Sequence, residues 1–303
     1  MSEINIILGT PQHSEGIVSL FKNNYKDPEY HYVELIDIDK NKKFVEENKV
    51  WVAIHNDKVV GHAAAYYAPF KNAVRVKLAH LLVDEPYRRG GVNYPGYSIG
   101  EKLEAERNKF YEDLQNKIDN KPLLVYASCV PGRSVELKKN IGFKALGIRT
   151  SYSPTGESRI IMGKIYNCSQ LKRRLEMPTD KTKKFLKFIS EKLNAEFVFE
   201  DSCNNTSQSK YQFAPISVPF RISAESHASG LNIDETINMI LQSGMQYKSF
   251  YIEPSCANFK EVDAKLNEKG FVPVVYFPFY NNGLDVIEYQ HKTSCTGCVF
   301  SVL

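Results

Sequence analysis

One stretch near the middle of the chain's first half constrains the fold most strongly. Residues 74–83 begin with alternating apolar and polar side chains and end almost wholly apolar, as a strand does on entering the centre of a sheet. Glycines then stand at positions 90, 91, 96 and 100, and apolar residues recur at helical spacing from Ile99 to Ile118. A glycine-rich turn that enters a helix leaves N–H groups at the positive end of the helix dipole, so this pattern predicts a site for an anion such as a pyrophosphate.

Shorter patterns predict the elements on either side. A strand at residues 4–8 leads to a helix beginning near Ser14, and strands 50–54 and 59–67 form a hairpin around the polar turn between them. After the amphipathic helix, we expect a buried strand, a short helix and an extended segment, at residues 123–127, 132–140 and 144–149 respectively.

The second half repeats this last part of the first. Strand 247–253, helix 258–269 with Gly270-Phe271, and strand 272–279 follow the order found between residues 123 and 147. Ahead of them, residues 213–222 are predicted to be the central strand and Ile233–Gln242 a helix.

Composition indicates where the two halves divide. Residues 167–182 are polar and charged, which is typical of a linker that leads into a helix at about 181–193. A chain of 303 residues also exceeds the usual domain of roughly 100 to 200 residues. We therefore expect two domains, residues 1–166 and 183–303, joined by a linker at 167–182.

Charge and hydropathy restrict the partners. The formal net charge is only +4 and basic residues are interspersed with acidic ones, which argues against nucleic acid as the main partner. No secretory leader pattern is present at the N-terminus, and no run approaches the roughly 18 apolar residues of a membrane span. We expect a cytoplasmic protein without a membrane partner, either a monomer or a homodimer.

The cysteines offer one weak metal or redox signal. Of the six, only Cys295 and Cys298 are spaced as a metal-binding or redox pair. A zinc site would need two further ligands, and His291 is the only near candidate, so we expect a reduced tail and no metal.

Two segments resemble the Gcn5-related N-acetyltransferases. Residues 83–92 (VDEPYRRGGV) are similar to the start of the family's acyl-CoA signature, with Arg88 and Gly91 in register, Asn93 in place of the last glycine, and residues 99–103 (IGEKL) as the helix start after a lengthened loop. Residues 124–143, from Leu-Val-Tyr to Ile-Gly-Phe, resemble the strand, helix and Gly-Phe of the second motif. With the hairpin before them, these motifs cover about residues 1–165.

The resemblance implies an α/β (α+β) fold, here as two tandem copies, each a mixed, mostly antiparallel sheet with one splayed pair of parallel strands, flanked by helices. It implies acetyl-CoA as the co-substrate, bound where those strands separate, with an N–H near Leu82 or Val83 polarising the thioester carbonyl. The residues expected to bind acetyl-CoA are Leu81, Leu82, Val83, Arg88, Arg89, Gly90, Gly91, Val92, Asn93, Gly96, Tyr97, Ser98, Ile99, Gly100, Lys102 and Arg133.

Candidates for proton transfer follow from the same alignment. His80, just before the strands would separate, is the candidate general base, and its alternative is a hydrogen-bonded core histidine. Glu34, Glu85 and Tyr126 are lesser candidates for the base. Where many members have a tyrosine that protonates the departing thiolate, this chain has Lys138, which either stabilises the thiolate by its charge or is a solvated helix residue.

Several aromatic residues are candidates for the acceptor site, with ordinary packing as the alternative. The expected acceptor residues are Tyr30, His31, Tyr32, Tyr66, Tyr67 and Tyr126.

The second motif departs from the family at one further position. Pro131 stands where an asparagine is frequent.

The second copy lacks the phosphate-binding pattern. Residues 223–230 contain no Arg-x-x-Gly-x-Gly, so we expect no CoA there. This copy either covers the acceptor cleft of the first, with Glu225 or His227 facing it, or serves packing or dimerisation.

The resemblance implies an N-acetyltransferase that moves an acetyl group from acetyl-CoA to a primary amine of a small molecule or peptide. Antibiotic modification or self-resistance is one version of this function. The alternatives are a CoA-binding sensor or scaffold without turnover and an acetyltransferase for protein lysines or N-termini. One fold serves many acceptors, so the sequence leaves these open.

Overall fold

The computed structural model describes residues 3–25, 35–150, 152, 156–201, 210–214, 221–227, 230–256, 258–281 and 283–292. The chain divides into two compact units. The N-terminal unit comprises residues 1–69 and 75–121, and the C-terminal unit comprises residues 70–74 and 122–303.

The N-terminal unit packs its helices on a sheet with the strand order β1-β2-β3-β4. Its elements are β1 (Asn5–Leu8), α1 (Ser14–Asn24), α2 (Ile38–Glu47), β2 (Lys49–His55), β3 (Lys58–Pro69), β4 (Val74–Val83) and α3 (Ile99–Gln115), with 3-10 turns at Pro11–His13 and Glu85–Tyr87. Strand β2 is antiparallel to both of its neighbours, β1 and β3.

Local chemistry explains where these elements begin and turn. The hairpin between β2 and β3 turns at Asn56 and Asp57, whose φ angles of +48° and +60° are tolerated by these residue types. Helix α2 begins where the Asp37 side chain accepts a hydrogen bond from the Lys40 N–H, and α3 begins where Ser98 does the same for Glu101.

One apolar cluster holds helices α1 and α2 against the sheet. Ile17 and Phe21 of α1 and Phe44 of α2 are buried together with Val50 and Val52 of β2. Burial of side chains of this size contributes roughly 1.5–3 kcal/mol each, so this cluster is the main stabilising contact of the helices.

The C-terminal unit contains one large, mostly antiparallel sheet and a separate parallel pair. Its elements are β5 (Leu123–Cys129), α4 (Arg133–Asn140), β6 (Lys144–Arg149), β7 (Arg159–Tyr166), β8 (Leu171–Glu176), α5 (Asp180–Leu193), β9 (Ala195–Glu200), β10 (Lys210–Phe213), β11 (Arg221–His227), α6 (Ile233–Gln242), β12 (Tyr247–Ile252), α7 (Phe259–Glu268), β13 (Phe271–Asn281) and β14 (Leu284–His291). The large sheet has the order β5-β7-β6-β13-β14-β12-β11-β10, and β8 pairs with β9.

The strand order of the large sheet is mirrored about the contact between β6 and β13. On one side it reads β5-β7-β6 and on the other β13-β14-β12. At the contact, Gly147 pairs with Val275, and a Cβ at Gly147 would lie 1.9 Å from the Val274 carbonyl oxygen. A side chain at position 147 would therefore separate the two strands.

Most of the expected elements are confirmed, including β4 and helices α3, α4, α5, α6 and α7. The central strand predicted at residues 213–222 is wrong: β11 runs from Arg221 to His227 and pairs in parallel with β12. The composition of β11 is mostly polar, so no run of apolar residues marks it as a strand. Within the expected linker, residues 171–176 form β8.

In the part of the chain that the structure describes, no helix is both long enough and apolar enough to span a membrane.

Candidate active site

The end of β4 is distorted at His80. Its φ of +54° is a conformation that few residues other than glycine adopt, and it interrupts the regular strand just before Leu82 and Val83. The His80 carbonyl oxygen accepts a hydrogen bond from His62 Nδ1 at 2.8 Å, and Arg107 donates to the preceding carbonyl of Ala79 at 3.2 Å. These contacts hold the backbone in its distorted form.

Arg107 is itself held by a buried ion pair. It lies on α3, is 2% exposed, and pairs with Glu104 one turn earlier on the same helix. Its guanidinium also donates to the carbonyl of Ala64 on β3 at 3.3 Å. One side chain thus ties α3 to both β3 and β4.

The imidazole of His80 faces a hydroxyl. Its Nε2 lies 2.6 Å from the Tyr66 hydroxyl, and the rings of Phe21 and Phe44 contact it edge-on. Desolvation lowers the pKa of His80 well below 6.5, helped by the nearby charges of His62, Lys77 and Arg107. The imidazole is therefore neutral at pH 7, and the Tyr66 hydroxyl can donate to its Nε2.

His62 lies directly behind His80. It is fully buried, and desolvation lowers its pKa from 6.5 to about 4 despite its hydrogen bond to the His80 carbonyl. Its Nε2 has no hydrogen-bond partner among the described residues. A charge on this imidazole is strongly disfavoured, which suits a structural role.

A shallow cleft of about 500 Å³ opens beside Tyr66. Its floor contains aromatic rings from α2 and the end of β3, and its rim carries polar and charged side chains. The lining residues are Lys40, Lys43, Phe44, Glu47, Asn48, Tyr66 and Tyr67.

The loop after β4 is built around a tight turn at Gly91. A Cβ at this position would lie 2.3 Å from the Pro86 carbonyl oxygen, so only glycine fits without movement of the backbone. The Gly91 N–H donates to the Arg88 carbonyl at 2.8 Å, and the Asn93 N–H donates to the Pro86 carbonyl at 2.9 Å. The conformation of the loop is therefore specified by its own backbone.

Arg88 anchors this loop to the end of β4 and to α1. Its Nε donates to the Val83 carbonyl at 2.8 Å and its guanidinium donates to Asn24 Oδ1 at 2.6 Å. Asn24 in turn donates to Asp84, which also accepts from Lys58. Burial alone would raise the pKa of Asp84, but the hydrogen bonds from Asn24 and Lys58 outweigh it and lower that pKa.

The start of α3 supplies donors and one cation. Ser98 caps the helix, and the N–H groups of Ile99 and Gly100 precede its first intrahelical hydrogen bond. Lys102 Nζ lies 3.6 Å from the centroid of the Tyr97 ring. Ile99 is only 1% exposed, so its side chain is not available to a ligand.

Other residues of the predicted cofactor site lie on the surface of the same unit. Val92 is 92% exposed at the loop tip and Leu81 is 39% exposed on β4. Arg89 is also exposed.

Three predicted residues belong to the C-terminal unit. Tyr126 on β5 is buried against Phe277 and Tyr280, with ring centroids 5.3 and 6.1 Å away. Lys138 on α4 is 5% exposed and its Nζ lies 4.9 Å from the Phe143 ring centroid, so it is not a solvated helix residue. Arg133 is exposed in the first turn of α4.

Some predicted site residues are exposed elsewhere on the surface or lie outside the residues that the structure describes. Glu85 is exposed in the 3-10 turn after β4. Glu34, Tyr30, His31 and Tyr32 lie outside the described residues, as do Cys295 and Cys298. His291, the third candidate in the tail, donates a hydrogen bond from its Nε2 to the Lys269 carbonyl at 3.1 Å. Among the described residues, no group of three or more His, Cys, Asp or Glu side chains could hold a metal ion.

Sequence reasoning missed the residues that support the site. His62, Asn24, Asp84 and Arg107 each contact the end of β4 or its loop, and Glu104 pairs with Arg107. The only local signal was helical spacing, which puts Arg107 on the same face of α3 as Ile99 and Leu103, both buried.

The carboxyl ends of β11 and β12 carry acidic residues. Glu225 of β11 pairs in register with Tyr251 of β12, and Glu253 follows β12 and accepts a hydrogen bond from Asn281 at 2.6 Å. Burial raises the pKa of Glu253; the Asn281 hydrogen bond opposes that rise and the Glu225 charge adds to it. Negative charge at this position disfavours an anionic ligand.

Comparisons with known proteins match part of the chain. No protein-family model matches it. Among curated proteins, "Probable N-acetyltransferase 14" of Xenopus tropicalis is 29% identical over 104 residues, which is 34% of this chain and 44% of that protein. The chain thus spans less than half the length of this curated relative.

Solved structures match about half of the chain at low identity. NAA60 of Arabidopsis thaliana, in complex with a bisubstrate analogue, is 14% identical with a TM-score of 0.41, over 54% of this chain and 98% of that chain. The PaiA N-acetyltransferase of Thermoplasma acidophilum, in complex with coenzyme A, is 17% identical with a TM-score of 0.40, over 55% of this chain and 100% of that chain.

Proposed function

We propose that this chain, a member of the Gcn5-related N-acetyltransferase superfamily, is an enzyme that moves an acetyl group from acetyl-CoA to a primary amine of a small molecule or peptide. The superfamily resemblance expected from the two sequence motifs agrees with the similarity to a curated N-acetyltransferase. The proposal is carried by three structural features that follow one another along the chain. These are the distorted end of β4, a turn that requires glycine at 91, and the N-terminus of α3.

Pyrophosphate binding is assigned to the loop and the start of α3. N–H groups in the first turn of α3 lie at the positive end of the helix dipole, and Arg89 and Lys102 can add charge. Arg88 has a supporting role in this proposal, because its guanidinium already holds Val83 and Asn24.

Proton removal from the acceptor amine is assigned to Tyr66 and His80. The amine must lose a proton as it attacks the thioester carbonyl, and the Tyr66 oxygen can accept it while the phenolic proton passes to His80 Nε2 at 2.6 Å. The low pKa of His80 keeps its nitrogen available to accept a proton at neutral pH. The distorted backbone at His80 leads directly to Leu82 and Val83, whose N–H groups are the candidates for polarising the carbonyl.

Lys138 remains the candidate that stabilises the departing thiolate. Its burial against Phe143 fits a lysine whose charge acts in a site of low polarity. Lys138→Met should lower kcat without weakening acetyl-CoA binding, and an unchanged kcat would remove this role.

One cofactor site per chain is expected. The second copy's strand pair β11 and β12 ends in Glu225 and Glu253, which oppose the binding of a pyrophosphate. The mirrored strand order about β6 and β13 supports the tandem interpretation, with this copy as the degenerate one.

Calorimetric titration with acetyl-CoA tests the cofactor half of the proposal. The whole chain should bind one equivalent, and Arg89→Ala should weaken binding about tenfold, since a hydrogen bond to a charged group is worth roughly 1.5–3 kcal/mol. Arg174→Ala removes an exposed arginine of β8 and serves as the control. No binding, or equal binding by Arg89→Ala, would contradict the assignment.

Release of CoA over a panel of amines tests the chemistry. His80→Asn keeps a residue that tolerates positive φ, and it should lower kcat by about 10² or more with little change in acetyl-CoA affinity. Acetyl-CoA binding without turnover on any amine would favour the CoA-binding sensor. Acetylation of protein lysines or N-termini but of no small amine would favour the protein-modifying enzyme, and acetylation of an aminoglycoside would favour antibiotic modification.

A further inference from the structure

The cleft beside Tyr66 has an excess of positive charge. Lys40 and Lys43 lie on its rim together with a single carboxylate, Glu47, which is 3.7 Å from Lys43. Lys77 adds a third ammonium, 5.2 Å from the centroid of the Tyr66 ring. Among the described residues that line the cleft, two lysines against one glutamate give a formal charge of +1, and Lys77 adds a further positive charge beside the Tyr66 ring.

Lys40 is the cation that a ligand could use most directly. Lys43 is partly neutralised by Glu47, whereas Lys40 makes no ion pair among the described residues. Its side chain is exposed at the start of α2, so pairing with a ligand anion would cost little desolvation.

The same cleft reaches the proposed proton acceptor. The Tyr66 ring forms part of its wall, and the Tyr66 hydroxyl contacts His80. Phe44 and Tyr67 supply aromatic surface beside it. A ligand whose amino group approaches the Tyr66 oxygen would therefore extend its remaining groups past aromatic rings towards the lysines.

We infer that the acceptor amine is anionic: it carries a carboxylate or similar acid group beyond its amino group, as an amino acid or an acidic peptide does. A polycationic amine such as an aminoglycoside would bring further ammonium groups against three lysines. Like charges at such distances repel, and complementary charges set specificity. This inference rests on the proposed function, because it specifies the acceptor of that same site.

The experiment compares acceptors that differ only in charge. Acetyl transfer is measured for the C-terminally amidated peptides Ala-Glu-Glu, Ala-Gln-Gln and Ala-Lys-Lys, and for free glutamate and glutamine. We expect KM to be lowest for an acidic member, to rise about fivefold for its neutral partner and to rise further for the lysine peptide. The peptide and amino-acid arms distinguish the two sources of an anionic amine.

Charge reversal at the cleft tests which residues are responsible. Lys40→Glu/Lys43→Glu should raise KM for the acidic acceptor about tenfold, from two interactions of about 0.2–1 kcal/mol each and their repulsive replacements, and leave kcat on the neutral acceptor within about twofold. Lys42→Glu/Lys49→Glu makes the same change in net charge with exposed lysines that do not line the cleft. It should leave KM unchanged.

The outcomes separate this inference from the proposed function. Acetyl transfer with equal KM for all peptides, or with a preference for Ala-Lys-Lys, would overturn the inference while the enzyme assignment stands. If no amine is acetylated, calorimetric binding of Ala-Glu-Glu that is lost only in Lys40→Glu/Lys43→Glu supports the anion site without the enzyme. Absence of both turnover and binding would overturn the inference.

Discussion

Replacement of Arg107 by methionine should be among the most destabilising single substitutions in the N-terminal unit. The change removes a buried guanidinium that donates to the carbonyls of Ala64 and Ala79, and it leaves the Glu104 carboxylate without its cationic partner. Methionine fills a similar volume, so the cost arises from lost charge and hydrogen bonds and only slightly from a cavity.

The magnitude follows from the burial of both partners. Arg107 and Glu104 side chains are 3% and 10% exposed. Removing one partner of a buried pair costs about 3–5 kcal/mol, because the remaining charge is neither hydrated nor neutralised. Removing both charges should cost much less, so Arg107→Met/Glu104→Gln should recover much of the stability that Arg107→Met loses.

Urea unfolding measures the stability lost in the single and in the double variant, and helix α3 offers an internal control. Glu106 and Lys109 have the same three-residue spacing on the same helix, but their side chains are 36% and 69% exposed. Lys109→Met should therefore cost less than about 0.5 kcal/mol. A loss below 1 kcal/mol for Arg107→Met, or a double variant as unstable as the single one, would refute the reasoning.

Three further predictions concern the glycines and the buried histidine. Gly91→Ala should abolish tight acetyl-CoA binding in calorimetry, because its Cβ would lie 2.3 Å from a backbone oxygen, whereas Gly100→Ala, whose Cβ would have only ordinary contacts, should leave the thermal stability intact. The free energy of unfolding should fall by about 3 kcal/mol between pH 7 and pH 4 through His62, because the unfolded state takes up a proton that the folded state refuses until its pKa of about 4. His62→Gln should flatten this pH dependence in urea unfolding and the exposed His227→Gln should not; equal slopes in all three proteins would contradict the assignment. Gly147→Ala should lower the unfolding temperature of the C-terminal unit, because its Cβ would lie 1.9 Å from the β13 backbone, and an unchanged temperature would show that β6 can move away.

The sequence predicted β4, its loop and α3 because their determinants are local. Apolar periodicity sets the strand and helix, and the turn needs glycine at 91 for a steric reason that acts within five residues. Strand β11 escaped prediction because its side chains alternate Arg, Ile, Ser, Ala, Glu, Ser and His, and only Ala224 of these is fully buried. Its strand character comes from pairing with β10 and β12, which no local pattern reports.

The roles of charged residues at the site were harder to predict than their presence. Arg88 was expected to contact a phosphate, yet its guanidinium donates to Asn24, which is 64 residues away. His80 was recognised as a candidate base, but the Tyr66 hydroxyl lies beside it because β3 and β4 are neighbours in the sheet. Such contacts depend on how strands pair, and spacing along the chain carries little information about them.

The division of the chain into domains also depends on contacts that spacing along the chain does not reveal. A boundary drawn from composition at 167–182 separates Arg149 of β6 from Glu288 of β14, although these residues form a buried ion pair at 2.8 Å. Arg149 also donates to the Tyr251 hydroxyl, and Thr150 exchanges hydrogen bonds with Gln290. Without β14, a buried guanidinium would lose its carboxylate, which is the costly way to break a buried pair. Residues 122–166 therefore depend on the second half of the chain for their stability, even though their sequence motif belongs with the first.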